Sequence, residues 1–162
     1  MDLFLIRHAD AGDRHQWEGD DADRPLTELG RNQARTLGAA FKARGVGVGA
    51  ILTSPLTRTV QTAGEFHEAY GSGPDPAACD LLVPDALRRR KLTKLLTGLG
   101  FPSVALVGHD PDLPAYLSWL LGTDPAQVRL QKGGAAMITF EDEPAKGEGV
   151  LSWMLTPAWY VS

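Results

Sequence analysis

Three short, largely apolar runs in this chain, Leu3 to Ile6, Ala50 to Thr53 and Ser103 to Val107, each stop abruptly at a polar junction that leads into a helical pattern. Runs of this kind read as buried strands, and strands that alternate with helices predict a parallel sheet. The junctions carry residues of one chemical kind: Arg7 and His8 after the first run, Arg58 after the second, and Gly108 and His109 after the third. In an open parallel α/β sheet, ligands bind in the crevice beyond the carboxyl ends of the strands, so residues remote in sequence converge there. Two arginines and two histidines are therefore expected to meet at one edge of the sheet.

The rest of the chain is consistent with a three-layer α/β/α fold around a mostly parallel sheet. Thr27 is placed as the N-cap of a helix on which Leu29, Ala34, Leu37 and Phe41 recur at helical spacing, with a stop at Gly45. Ser54 and Pro55 read as N-cap and first residue of a second helix reaching Tyr70. Leu87, Leu92, Leu95, Leu96 and Leu99 predict a third helix from Ala86 to Leu99. Asp110 and Pro111 open a fourth, with Leu113, Leu117, Leu120 and Leu121 on its apolar side. AAMITF and VLSWML read as a C-terminal hairpin that extends the sheet at one edge. A length of 162 residues, with no internal repeat and no long linker, fits a single domain spanning 1–162.

Composition removes several function classes. A net charge of -4 gives no basic field for a nucleic acid polymer. The one cysteine, Cys79, excludes an intrachain disulfide and fits a reducing, cytoplasmic setting. The five-residue apolar start is too short for a signal peptide or a membrane span, so no membrane partner is expected. His15 and His67 lack the partner spacing of a metal site, so neither metal nor cofactor is implied. The alternating glycines of GVGVG follow a helix and precede a strand, the reverse of the order a dinucleotide-binding turn needs. Trp17, Trp119, Trp153 and Trp159 are assigned to packing, and Trp17 also to a loop near the pocket whose acidic residues Glu18, Asp20, Asp21 and Asp23 lie at its mouth.

The residues at the strand ends point to phosphoryl chemistry. Two guanidiniums offer donor forks matched to phosphate oxygens, and helix N-termini beyond Ser54 and Asp110 add backbone N–H groups. Of two histidines in such a pocket, one serves as a neutral imidazole nucleophile and the other donates to the equatorial oxygens.

At these residues the chain resembles the histidine phosphatase superfamily. The likeness lies in LIRHADAG, with Ala9 where the family usually has Gly, in RPLTELGRNQA, in TSPLTRTVQTA and in ALVGHDP. The short length, RHADA, LVP and SWMLTP look most like the SixA-type phosphohistidine phosphatases. The resemblance implies a phosphoglycerate mutase-like fold, a nucleophilic His8 that becomes phosphorylated, and a phosphoryl group bound by Arg7, Arg58 and His109, with the Asp110 backbone assisting. Larger members carry an acidic proton donor where this chain has DLLVPDA, with apolar Leu81 and Leu82 nearest the position, so Asp85, Asp10 and Asp13 are the candidates here. A phosphohistidine-bearing protein is the first substrate expected, since a departing imidazole is protonated near neutrality and needs little acid help. The alternatives are a small-molecule or nucleotide phosphomonoesterase, which GDRHQWEGDDADRPL resembles, and a non-catalytic phosphate-binding module. A monomer is expected. The run Arg88 to Lys91 reads as a solvated helix face, or as a contact for an acidic protein.

Overall fold

The computed structural model describes residues 1–124 and 128–160. Six strands form one sheet: β1 (Asp2–Arg7), β2 (Ala50–Thr53), β3 (Ala77–Ala78), β4 (Ser103–Gly108), β5 (Ala135–Thr139) and β6 (Val150–Leu155). Their order is β3-β2-β4-β1-β5-β6. The first four are mutually parallel, while β5 runs antiparallel to β1, and β6 antiparallel to β5. Four helices cover the faces: α1 (Glu28–Ala43), α2 (Thr57–Tyr70), α3 (Arg89–Leu99) and α4 (Asp112–Leu121).

The period-two alternation of the central strands explains why each needs an unbroken apolar run. Leu3, Leu5, Val104 and Leu106 pack under Leu92, Leu96, Leu113 and Leu117 of α3 and α4. Phe4, Ile6, Ala105 and Val107 face Leu37, Phe41, Ala63 and Phe66 of α1 and α2. Phe41 is the hub of the second layer, meeting Phe4, Phe66 and Trp153 edge-on. The helices that follow the adjacent strands β1 and β4 thus lie on opposite faces of the sheet. That divergence is a topological switch point, and it opens a crevice beyond Arg7 and Gly108.

Thr27 caps α1 as expected, its hydroxyl accepting from the Gly30 amide at 3.0 Å. Glycine is required at position 30, because a Cβ there would stand 2.0 Å from the Asp10 carbonyl oxygen. This close approach joins the start of α1 to the loop that leaves β1.

Several boundaries depart from the sequence reading. Leu29 is 54% exposed, because the turn after the cap faces it away from the sheet. β3 is two residues long, too short to leave a pattern. α3 begins at Arg89 instead of Ala86, since Asp85 takes a left-handed φ of 63° and Arg88 is extended. Trp159 is 83% exposed and does not pack, whereas Trp119 stacks on Tyr116 and Trp153 on the aromatic layer. Among the described residues, no helix is long and apolar enough to cross a membrane.

Candidate active site

The strand ends converge as anticipated. Arg7, His8, Arg58, His109, Asp110 and Asp85 all line one cavity of about 690 Å³ at the switch point. His8 follows β1, and its amide donates to the Gly108 carbonyl at the end of β4. The rings of His8 and His109 lie 5.3 Å apart, centre to centre.

The hydrogen bonds of His8 determine its tautomer. Its Nδ1 lies 2.8 Å from the Ala9 carbonyl, which only accepts, so Nδ1 carries the proton and Nε2 holds the lone pair. Burial lowers the His8 pKa to about 4, opposed by the Ala9 hydrogen bond and reinforced by Arg58, Arg7 and Lys132. Burial together with His8 and Arg58 brings His109 to about 3. Both imidazoles are neutral at pH 7.

Two guanidiniums flank these rings, that of Arg58 buried and that of Arg7 half-buried. Arg7 Nη1 meets the Asp110 carboxylate at 2.8 Å and the Leu130 carbonyl at 2.9 Å. Arg58 donates from Nη1 to the Asp21 carbonyl at 2.7 Å and approaches the Asp21 carboxylate from Nη2 at 3.2 Å. In both residues the Nε–H is buried and has no hydrogen-bond partner among the described residues. A buried donor left unpaired is costly, and a phosphoryl oxygen would satisfy it.

Two helix-start assignments need correction. Ser54 does not cap α2, which opens at Thr57 without a side-chain cap. Its hydroxyl lies 3.0 Å from His109 Nε2 instead and fixes that ring. Nor does Asp110 cap α4: Pro111 occupies the cap position and the helix starts at Asp112, because the Asp110 carboxylate is held by Arg7.

The sequence reading places Asp21 at the pocket mouth but gives it no partner, and it lacks the lining residues Arg24 and Lys132. Asp21 and Arg24 fold the acidic loop onto the site: Arg24 Nε donates to Asp21 at 2.9 Å and Nη1 to the Ala11 carbonyl at 2.6 Å. The loop is thereby a wall of the cavity, tied to it through Arg58. Lys132 reaches Asp10 at 3.3 Å and the Gly12 carbonyl at 3.2 Å. The antiparallel direction of β5 was the available signal for Lys132, since the N-terminal end of such a strand lies beside the carboxyl ends of its parallel neighbours.

The carboxylates divide by occupation. Asp21 and Asp110 are engaged by arginines. Burial pushes the Asp10 carboxyl up, but the Thr27 hydroxyl and Lys132 outweigh it and hold the group below the ordinary carboxylate range, so it is a poor acid. Asp85 stands at the rim with its backbone N–H on the Asp112 carboxylate at 2.8 Å, and Asp13 accepts from the His15 amide. No group of three or more metal-ligating side chains occurs among the described residues.

A six-stranded α/β sheet with two neutral histidines at its switch point, and two guanidiniums that each keep an unpaired Nε–H there, defines an anion-binding site of the phosphoryl-transfer kind. Comparison with known proteins makes this specific. Residues 3–80 match the model of the histidine phosphatase superfamily (branch 1). An uncharacterised protein of Picosynechococcus is 34% identical over 137 residues, covering 83% of this chain and 82% of that protein. The structure of the protein histidine phosphatase SixA complexed with tungstate superimposes with a TM-score of 0.85 and 25% identity, covering 98% of each chain. A protein of Agrobacterium tumefaciens assigned as a phosphohistidine phosphatase SixA gives a TM-score of 0.79 at 25% identity over 96% of this chain and 97% of that one. The chain belongs to the histidine phosphatase superfamily, and its activity is that of a phosphatase.

Proposed function

We propose that this phosphatase removes the phosphoryl group from phosphohistidine on a protein, through a covalent intermediate on His8. The observation that carries the reading is the lone pair of His8 Nε2 in a pocket where Arg7 and Arg58 each bury an Nε–H without a partner. His8 Nε2 attacks phosphorus, and the substrate P–N bond breaks with its electron pair passing to the departing imidazole, which takes a proton from water. Arg7, Arg58 and His109 hold the equatorial oxygens as charge spreads over them. Water then attacks the phosphorylated His8, the P–Nε2 bond returns its pair to the ring, and inorganic phosphate leaves.

The supply of acid favours this substrate. Of the pocket carboxylates, Asp21 and Asp110 are committed to arginines, which among the described residues leaves the rim residues Asp85 and Asp13 to protonate a leaving group. An imidazole is protonated without such help; an alkoxide is not. Asp85 and Asp13 at the rim are the features that favour a small phosphate ester instead.

The test is phosphate release from a phosphohistidine-bearing protein and from a panel of phosphate esters, by the wild type, His8→Ala and Asp85→Asn. Phosphohistidine is cleaved preferentially, with His8 required and Asp85 dispensable. Preference for esters, with loss in Asp85→Asn, would replace the reading by a phosphomonoesterase.

A further inference from the structure

The first turn of α3 is electrostatically anomalous. Arg88, Arg89, Arg90 and Lys91 cluster at the helix N-terminus, where the backbone dipole disfavours cations, and the turn has neither a carboxylate nor a side-chain cap. All four side chains are exposed, as is Lys94 one turn on. No ion pair engages Arg89, Arg90, Lys91 or Lys94 among the described residues, and while single exposed cations such as Lys42, Arg44 and Lys146 are likewise without one, only here do several stand together on one turn. The clustering occurs in a chain of net charge -4, so it is not a general basic surface.

Its place in the fold links it to the active site. Arg88 Nη1 donates to the carbonyl of Asp85, which lines the catalytic cavity, so the basic turn continues the rim of that cavity. Beyond the rim lie two shallow hollows of about 390 and 370 Å³ that share Arg90 and the half-buried Trp119. The hollow next to the rim is lined by Arg88 to Lys91 with no carboxylate, while the farther one carries a single acidic residue, Glu143, beside Arg90, Lys94 and Lys146; cations in excess around a fixed indole have the composition of a protein-binding surface, with an aromatic anchor inside a polar rim.

We infer that the α3 turn and Trp119 dock the protein that carries the phosphohistidine, through an acidic surface beside the modified residue. This rests on the substrate proposed above and names the charge of its carrier. A partner seated on Arg89 to Lys91 lies at the cavity mouth, so docking presents its phosphoimidazole toward His8. Opposite charges across such a contact raise the encounter rate and fix the register.

The test uses the variant Arg89→Glu, Arg90→Glu, Lys91→Glu, which replaces cations by carboxylates that suit a helix N-terminus, so the fold is retained. Wild type and variant are compared on two phosphohistidine-bearing domains, one acidic and one basic around the modified residue, and on free phosphohistidine. The variant loses about tenfold or more in kcat/KM on the acidic domain. Its kcat and its turnover of free phosphohistidine are unchanged, and added salt erodes the wild type toward the variant. Equal activity of the two proteins on the acidic domain overturns the docking surface. Binding of the unphosphorylated acidic domain is measured alongside: binding lost in the variant, with no phosphohistidine cleavage by the wild type, keeps the surface and refutes the substrate. Tighter binding of the wild type to anionic phospholipid vesicles than to the acidic domain would make the turn a membrane contact and overturn the inference.

Discussion

Lowering the pH from 8 to 5 is expected to destabilise this protein through two side chains. His8 falls to about 4 and His109 to about 3, both because burial penalises the charged ring and because nearby cations add to it. The unfolded chain binds these protons near the ordinary imidazole value of about 6.5. Because the folded values are the lower ones, the unfolded state takes up more protons across the interval, and stability falls as pH drops below about 6.5. Integrated from pH 8 to 5, each histidine contributes a loss of about 2 kcal/mol, hence roughly 4 kcal/mol for the pair. The carboxylates whose values are lowered, Asp10, Asp21 and Glu65, release their share mainly below this window. Urea unfolding at pH 8, 6.5 and 5 measures the slope, and His8→Asn and His109→Asn should each flatten it by about half. Imidazole resonances of both rings stay at their neutral positions down to about pH 5.5. Either ring titrating near 6.5, with an unchanged slope in its variant, would refute the argument that burial and the guanidiniums hold these histidines neutral.

Two substitutions probe the scaffold behind the site. Gly30→Ala sets a methyl against the Asp10 carbonyl at 2.0 Å, and thermal unfolding is expected to report a loss on the order of 3 kcal/mol as α1 is pushed from the β1 loop. Ser54→Ala removes the hydroxyl that orients His109 at 3.0 Å; steady-state kinetics should find kcat/KM down by about tenfold, and thermal unfolding a loss of about 1–3 kcal/mol because the buried His109 ring is left without its partner. Wild-type activity in Ser54→Ala would remove Ser54 from the positioning of His109.

The legible part of the site is the part that sits at strand ends. β1 and β4 are covered on both faces, so their apolar runs are continuous, and the first polar residues after them, His8 and His109, mark the crevice in the sequence itself. Arg58 was legible for the same reason, although the start of α2 was not: Ser54 followed by Pro55 has the form of a cap, but a buried histidine took the hydroxyl. Asp21 was legible as part of the acidic loop at the pocket mouth, but its pairing with Arg58 and Arg24 was not, because it comes from side-chain contacts across a polar loop that has no periodicity. The start of α3 was misplaced because a left-handed Asp85 interrupts a segment whose leucine spacing is helical. Propensity gives no warning of a single positive φ at a non-glycine residue.

The central claim is that His8 carries the phosphoryl group between substrate and water. The most direct measurement is rapid mixing with a ³²P-labelled phosphohistidine protein, quenched in alkali to preserve P–N bonds, followed by mapping of the label on the enzyme. The account predicts a transient label on His8 that is chased by unlabelled substrate and is absent from His8→Ala, which keeps its fold but releases no phosphate. Label on another residue, or undiminished phosphate release by folded His8→Ala, would contradict it.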